Sequence, residues 1–133
     1  MIDKEIIKLA SNTSNVGLKN KYSHKISLKN STCGDKITLE LITDKKKICS
    51  MKYETVSCVY CEASASLLSR KIKNIKLKDI KKDFVILKTI TSKKDAKIPK
   101  RLSDFKKLLS SDNFNRFKCI FLPIDAVLKA LKL

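Results

Sequence analysis

The chain has 133 residues, 43% of them hydrophobic and 32% charged, with two Gly and two Pro. That composition excludes collagen-like, low-complexity and largely disordered classes and predicts one globular domain over residues 1–133. Thirty Lys and Arg against 13 Asp and Glu give a net charge of +17, which makes any polyanion a partner to weigh.

In chain order, Ile2, Ile6 and Leu9 with Ile7 beside them predict a short amphipathic helix over Ile2–Leu9. The polar stretch Ser11–Ser23, with Asn12, Asn15 and Gly17, reads as loop. Ile26 and Leu28 mark a weak strand; Ile37, Leu39 and Leu41 alternate with Thr38 and Glu40 in a stronger one. After a turn at Thr43–Lys46, Ile48–Tyr53 supplies a third. The short connections predict an antiparallel meander.

From Cys61 the pattern turns helical. Glu62–Lys73 has Ala, Ser and Leu at helical spacing, and Ile80, Phe84 and Leu87 follow i, i+4, i+7. Leu102, Phe105, Leu108 and Leu109 predict another amphipathic helix, beginning near Pro99 after a charged linker, Thr91–Lys97. The tail carries a long apolar stripe from Phe117 to Leu131, with a helix that either starts near Pro123 or kinks there. Strands first and helices after predict an α+β fold, a three-stranded antiparallel sheet with helices packed on one face.

No apolar run approaches the roughly 18 residues of a membrane span. Asp3 and Glu5 interrupt the start, where a secretory leader would be apolar, so the expectation is a soluble, cytoplasmic protein without a membrane partner. Nucleic acid is an unfavoured partner despite the charge. Only Arg70, Arg101 and Arg116 among the basic residues are Arg, Trp is absent, and no basic run is interleaved with aromatics for base contacts or stacking.

Five cysteines, Cys33, Cys49, Cys58, Cys61 and Cys119, are an odd number in a chain with no export signal, which argues against a disulfide framework. Cys33-Gly34-Asp35 falls between the first two strands, Cys58 between the third strand and a helix, and Cys119 either before the last helix or at its opening. On a helical wheel Cys119 lies off the apolar stripe, which predicts that it is not a core residue. Cys49, inside a strand, reads as plain packing. Thiolates at helix N-termini, with Arg116 and Lys118 close by, suit metal chemistry. Three sulfurs and a carboxylate would make a tetrahedral zinc set or cluster ligands for iron. The Cys58-x-x-Cys61 spacing instead suggests a four-cysteine site of Cys33, Cys58, Cys61 and Cys119. Buried free cysteines acting as small hydrophobes fit the same residues, and the pattern alone leaves these readings open.

Three segments carry a resemblance: Asn30-Ser-Thr-Cys33-Gly34-Asp35, then Cys58 followed by Ala63-Ser64-Ala65-Ser66, then Arg116-Phe-Lys118-Cys119. Together with Asn12-Thr-Ser-Asn15-Val-Gly17 they resemble the iron–sulfur cluster assembly scaffold family of IscU, the NifU N-terminal domain and SufU. Lys118 stands where the IscU branch has histidine, the single histidine being His24. The 61-residue interval from Cys58 to Cys119 is similar to that of the SufU branch. The resemblance implies a SufE/NifU-like fold and zinc held by Cys33, Asp35, Cys58 and Cys119. It also implies persulfide sulfur received on Cys33 from a SufS-type cysteine desulfurase, and transfer to iron–sulfur acceptor proteins. A transient [2Fe–2S] cluster on Cys33, Cys58 and Cys119 is the scaffold version of the same role. In this register Cys61 is an extra thiol, either a core residue or a ligand in competition with Asp35. Thr13, Ser31, Thr55 and Ser57 stand where the family has proline or glycine. The alternatives carried alongside are a basic nucleic-acid-binding module with a structural zinc, and a degenerate partner-docking domain.

Overall fold

The computed structural model describes residues 3–31, 34–90 and 98–133. Thr91–Lys97, the expected linker, lies outside the described residues, as does Cys33. The elements run α1 (Lys4–Ser11), β1 (His24–Lys29), β2 (Lys36–Thr43), β3 (Ile48–Val56), α2 (Val59–Lys71), α3 (Leu77–Lys88) and α4 (Phe117–Ala130). Short 3-10 segments cover Ile72–Asn74, Lys100–Lys106 and Ser111–Arg116. Asp3 caps α1 by accepting from the Glu5 N–H at 2.8 Å.

The three strands form the expected antiparallel meander in the order β1-β2-β3. Ile37, Leu39 and Leu41 turn inward from β2, and Ile48, Met51 and Tyr53 from β3. They meet apolar residues of α2, α3 and α4 in one core. The alternation holds because side chains on a strand point to opposite faces at period two.

Glu40 on β2 is also buried. Its carboxylate accepts from the Lys19 and Asn20 N–H groups at 2.8 and 3.2 Å, and Lys25 Nζ lies 3.6 Å away. It thereby ties the 19–20 turn, where Asn20 adopts φ 57°, to the sheet. The stretch read as loop also makes a single parallel bridge, Val16 to Tyr53, along the edge of β3.

Four expectations need correction. Cys49 is exposed, not packed. Thr43 pairs with Ile48 and Ile42 with Ser50, so Cys49 is the extra residue of a β-bulge and is pushed out of the alternation. The segment around 102–109 is not an α-helix. Leu102 and Phe105, both fully buried, are spaced three apart as in the 3-10 segment Lys100–Lys106 that holds them, and Leu108 is buried just beyond its end. Arg101 in the same segment reaches Asp83 at 3.2 Å and Asp79 at 3.6 Å, fastening the segment to α3. Helix starts are the third: α2 begins three residues earlier than expected, at Val59, while α4 begins at Phe117 and contains Pro123, so of the two alternatives a start at the proline is excluded.

The fourth correction is Cys119, which is 0% exposed. α4 packs against α2 on one side and β1 and β2 on another, so its buried arc is wider than the apolar stripe of its sequence. Pro123 has no N–H to offer the Cys119 carbonyl four residues back. In the same turn the Ser64 hydroxyl of α2 donates to the Ile120 carbonyl at 2.6 Å and fixes α2 against α4.

Candidate metal centre

Three chain segments meet at one end of the sheet. The first is the loop from β1 to β2, closed by Asn30 N–H to Asp35 O at 2.7 Å and Gly34 N–H to Asn30 O at 2.8 Å. Gly34 sits at φ +72°, a left-handed conformation that costs glycine little and other residues more. This turn delivers Asp35, 4% exposed, to the start of β2.

Strand register supplies the second segment. Lys36 pairs with Val56, so Asp35 arrives beside the residues that follow β3. There Cys58 is the N-cap of α2, with no side-chain cap of its own. Asp35 takes that role: Oδ1 accepts from the Cys58 N–H at 3.1 Å, while the Cys58 thiol donates to Oδ2 at 3.4 Å. The carboxylate also sits where the α2 dipole favours negative charge. Sequence reasoning missed this capping contact, although the β2–β3 pairing would have indicated it.

The third segment is the first turn of α4, which brings in Cys119. Donor atoms of Asp35, Cys58 and Cys119 all lie within 4.8 Å of one another. Zinc–sulfur bonds of about 2.3 Å imply donor–donor edges of about 3.7 Å in a tetrahedron, so the set closes on an ion with small side-chain adjustments. Its chemistry fits a cation as well. With Asp35 and Cys119 buried and Cys58 half-buried, holding all three as anions would be costly unless a positive charge compensated them.

The remaining candidates fall into place around this set. Cys61, fully buried in the first turn of α2, is a core residue; burial pushes its thiol pKa up to about 12, against a weaker downward pull from Ser57. Ser64 and Ser66 are spent on backbone carbonyls, Ile120 at 2.6 Å and Asn12 at 2.9 Å, as packing groups. Arg116 is exposed and stacks its guanidinium over Tyr60 at 5.6 Å; Lys118 is also exposed. His24 lies on β1, its ring 3.0 Å from the Ser23 hydroxyl.

Residues 1–111 match the sequence profile of the NifU-like N terminal domain. The chain belongs to the NifU-like N-terminal domain family, an iron–sulfur cluster assembly scaffold family. The match takes in Cys33, Asp35 and Cys58 and stops short of Cys119, which the fold brings beside Asp35 and Cys58. Among solved structures, the chain is similar to the N-terminal part of a nitrogen-fixing NifU-like protein from Brucella abortus. Identity is 20%, coverage 98% of this chain and 91% of that one, and the TM-score 0.86. It is similar also to FiSufU of Fervidobacterium islandicum AW-1, named as an iron–sulfur cluster assembly scaffold protein for the SUF system. Here identity is 21%, coverage 98% and 96%, and the TM-score 0.80. A third structure, of a hypothetical protein, has 20% identity, coverage of 97% and 98%, and a TM-score of 0.71. At these identities the likeness establishes the shared fold. No curated protein sequence matches the chain. Among the described residues, no helix is long and apolar enough to cross a membrane.

Proposed function

We propose that this protein is a SufU-type sulfur acceptor in iron–sulfur cluster assembly, holding zinc through Cys33, Asp35, Cys58 and Cys119. The observation that carries the reading is the convergence of Asp35, Cys58 and Cys119 donors within 4.8 Å, with Cys33 two residues from Asp35 in the chain. A bound zinc ion would keep the thiols deprotonated at neutral pH. Asp35 holds Cys58 in place through its N–H, and would contribute an oxygen ligand among sulfurs.

Sulfur receipt falls to Cys33. Its thiolate attacks the terminal sulfur of a persulfide on a cysteine desulfurase; the desulfurase thiolate leaves, and Cys33 becomes the persulfide. No net oxidation occurs in that exchange. Sulfur then passes to iron–sulfur acceptor proteins in a cytoplasmic setting. In a scaffold role, iron and sulfide would be cargo assembled on the same thiols.

Elemental analysis of wild type, Cys58→Ser and Cys61→Ser, with acid-labile sulfide assayed alongside, tests the reading. We expect near-stoichiometric zinc in wild type and in Cys61→Ser, and its loss in Cys58→Ser. Equal loss in both variants would overturn the ligand register. Acid-labile sulfide in place of zinc would replace the carrier role by that of a scaffold.

A further inference from the structure

Cys61 is a buried nucleophile that neither the metal set nor the sulfur receipt uses. It lies one turn from Cys58. Strand β3 ends at Val56, Cys58 is the N-cap of α2, and Cys61 is the third helical residue. N-cap and third-position groups face each other at a helix start, the geometry that capping boxes exploit. The outer thiol, Cys58, is half-buried; the inner one is 0% exposed. Asp35, itself buried, touches the Cys58 thiol. A strand, then two cysteines separated by two residues at a helix N-terminus, the first reachable and the second sequestered, is an arrangement suited to a reversible disulfide.

We propose that Cys58 and Cys61 form a dithiol that reduces sulfane sulfur, taking a persulfide as substrate and releasing sulfide. The inference rests on the preceding reading only for the origin of the persulfide. In a first exchange a donor persulfide passes its terminal sulfur to the Cys58 thiol and departs as a thiol. The Cys61 sulfur then attacks the Cys58 sulfur. The Cys58–Cys61 bond forms, the bond from Cys58 to the terminal sulfur breaks, and that sulfur leaves with its own proton and the one from Cys61 as hydrogen sulfide. Two cysteine thiols are oxidised to a disulfide, and one sulfur is reduced from the sulfane to the sulfide level.

The burial of Cys61 has a purpose in this scheme. Dissolved electrophiles do not reach it, so its partner is the sulfur mounted on Cys58, and the proximity of the two offsets the low reactivity of a protonated thiol. Iron–sulfur units contain sulfide, whereas a persulfide delivers sulfur two electrons more oxidised. The pair supplies those electrons within one chain. Disulfide formation also withdraws Cys58 from the metal-binding donors, so sulfide release and metal retention are alternatives.

The test uses chelator-treated, fully reduced full-length protein mixed anaerobically with glutathione persulfide, with released sulfide measured and the product mapped by peptide mass spectrometry. Wild type should release stoichiometric sulfide and lose two hydrogens in a peptide joining Cys58 to Cys61. Cys61→Ser and Cys61→Ala should each release sulfide at least about tenfold more slowly, the loss expected when an intramolecular nucleophile is removed. Both variants should retain an added sulfur atom on Cys58; Cys49→Ser should behave as wild type. Circular dichroism identifies any variant that fails to fold, and the second substitution then decides. Undiminished sulfide release from a folded Cys61 variant, or a disulfide from Cys58 to Cys33 or Cys119, would overturn the proposal. Because the donor is a small molecule, failure of a desulfurase to load sulfur would instead count against the sulfur-acceptor reading.

Discussion

Cys49 and Cys61 are both thiols, and their surroundings give them opposite chemistry. Cys49 stands out on a bulge, 3.5 Å from the Asp44 carboxylate, whereas Cys61 has no exposed surface. Brief treatment of native, zinc-loaded protein with iodoacetamide at pH 8 should therefore label Cys49 and spare Cys61 until the chain is denatured; early labelling of Cys61 would contradict its burial. The raised Cys61 pKa also fixes a pH dependence. Folding favours the protonated thiol, so the contribution is fully present below about pH 9 and is lost as pH rises towards 12. Tyr53, raised by burial, acts in the same direction at high pH. Thermal melts of metal-free protein should show wild type losing more stability than Cys61→Ala between pH 9 and 11. Parallel curves would contradict this. The sequence made the thiols and the Asp35 carboxylate visible by their order and motifs. It did not reveal which thiols were buried, because that depends on a bulge for Cys49 and on two-sided packing for Cys119.

At the scale of elements, the turn and clamp that shape the site are separable. A Cβ at Gly34 would meet no atom within 4 Å, so Gly34→Ala carries the backbone cost of φ +72° alone. That cost is about 1 kcal/mol, readable in urea denaturation, with β1 and β2 still paired. A cost near zero would mean that the turn relaxes. Glu40→Ala removes a buried acceptor from two backbone N–H groups and should destabilise by about 2 kcal/mol. A neutral result would show water replacing the carboxylate. The strands were legible because burial alternates along β2 and β3. The 3-10 segments were harder to recognise: Leu102 and Phe105 satisfy both a helical stripe and a three-residue turn, and both are buried in the latter. Pro123 was legible as an irregularity in a helix, but its position relative to the helix start was not, since the start is set by where the Ser111–Arg116 turn ends.

Across the whole molecule, the order of strands then helices was enough to read the α+β architecture, because only a covered sheet buries both the strand face and the helix stripes. The +17 charge says less about specificity. Lysines dominate it, and Lys29, Lys88, Lys118 and Lys129 border a groove between the end of β1 and α4, where Lys88 is paired to Asp125. Specific duplex DNA binding is not expected: whatever binding the charge produces should lack sequence preference and be lost steeply between 50 and 200 mM salt. Sequence-selective binding in a competition assay would revive the nucleic-acid module. The account as a whole depends on one mixed donor set. Zinc K-edge X-ray absorption of the zinc-loaded protein measures that set directly. Three sulfurs at about 2.3 Å and one oxygen at about 2.0–2.2 Å are expected. A four-sulfur shell, or one of oxygens and nitrogens alone, would contradict it.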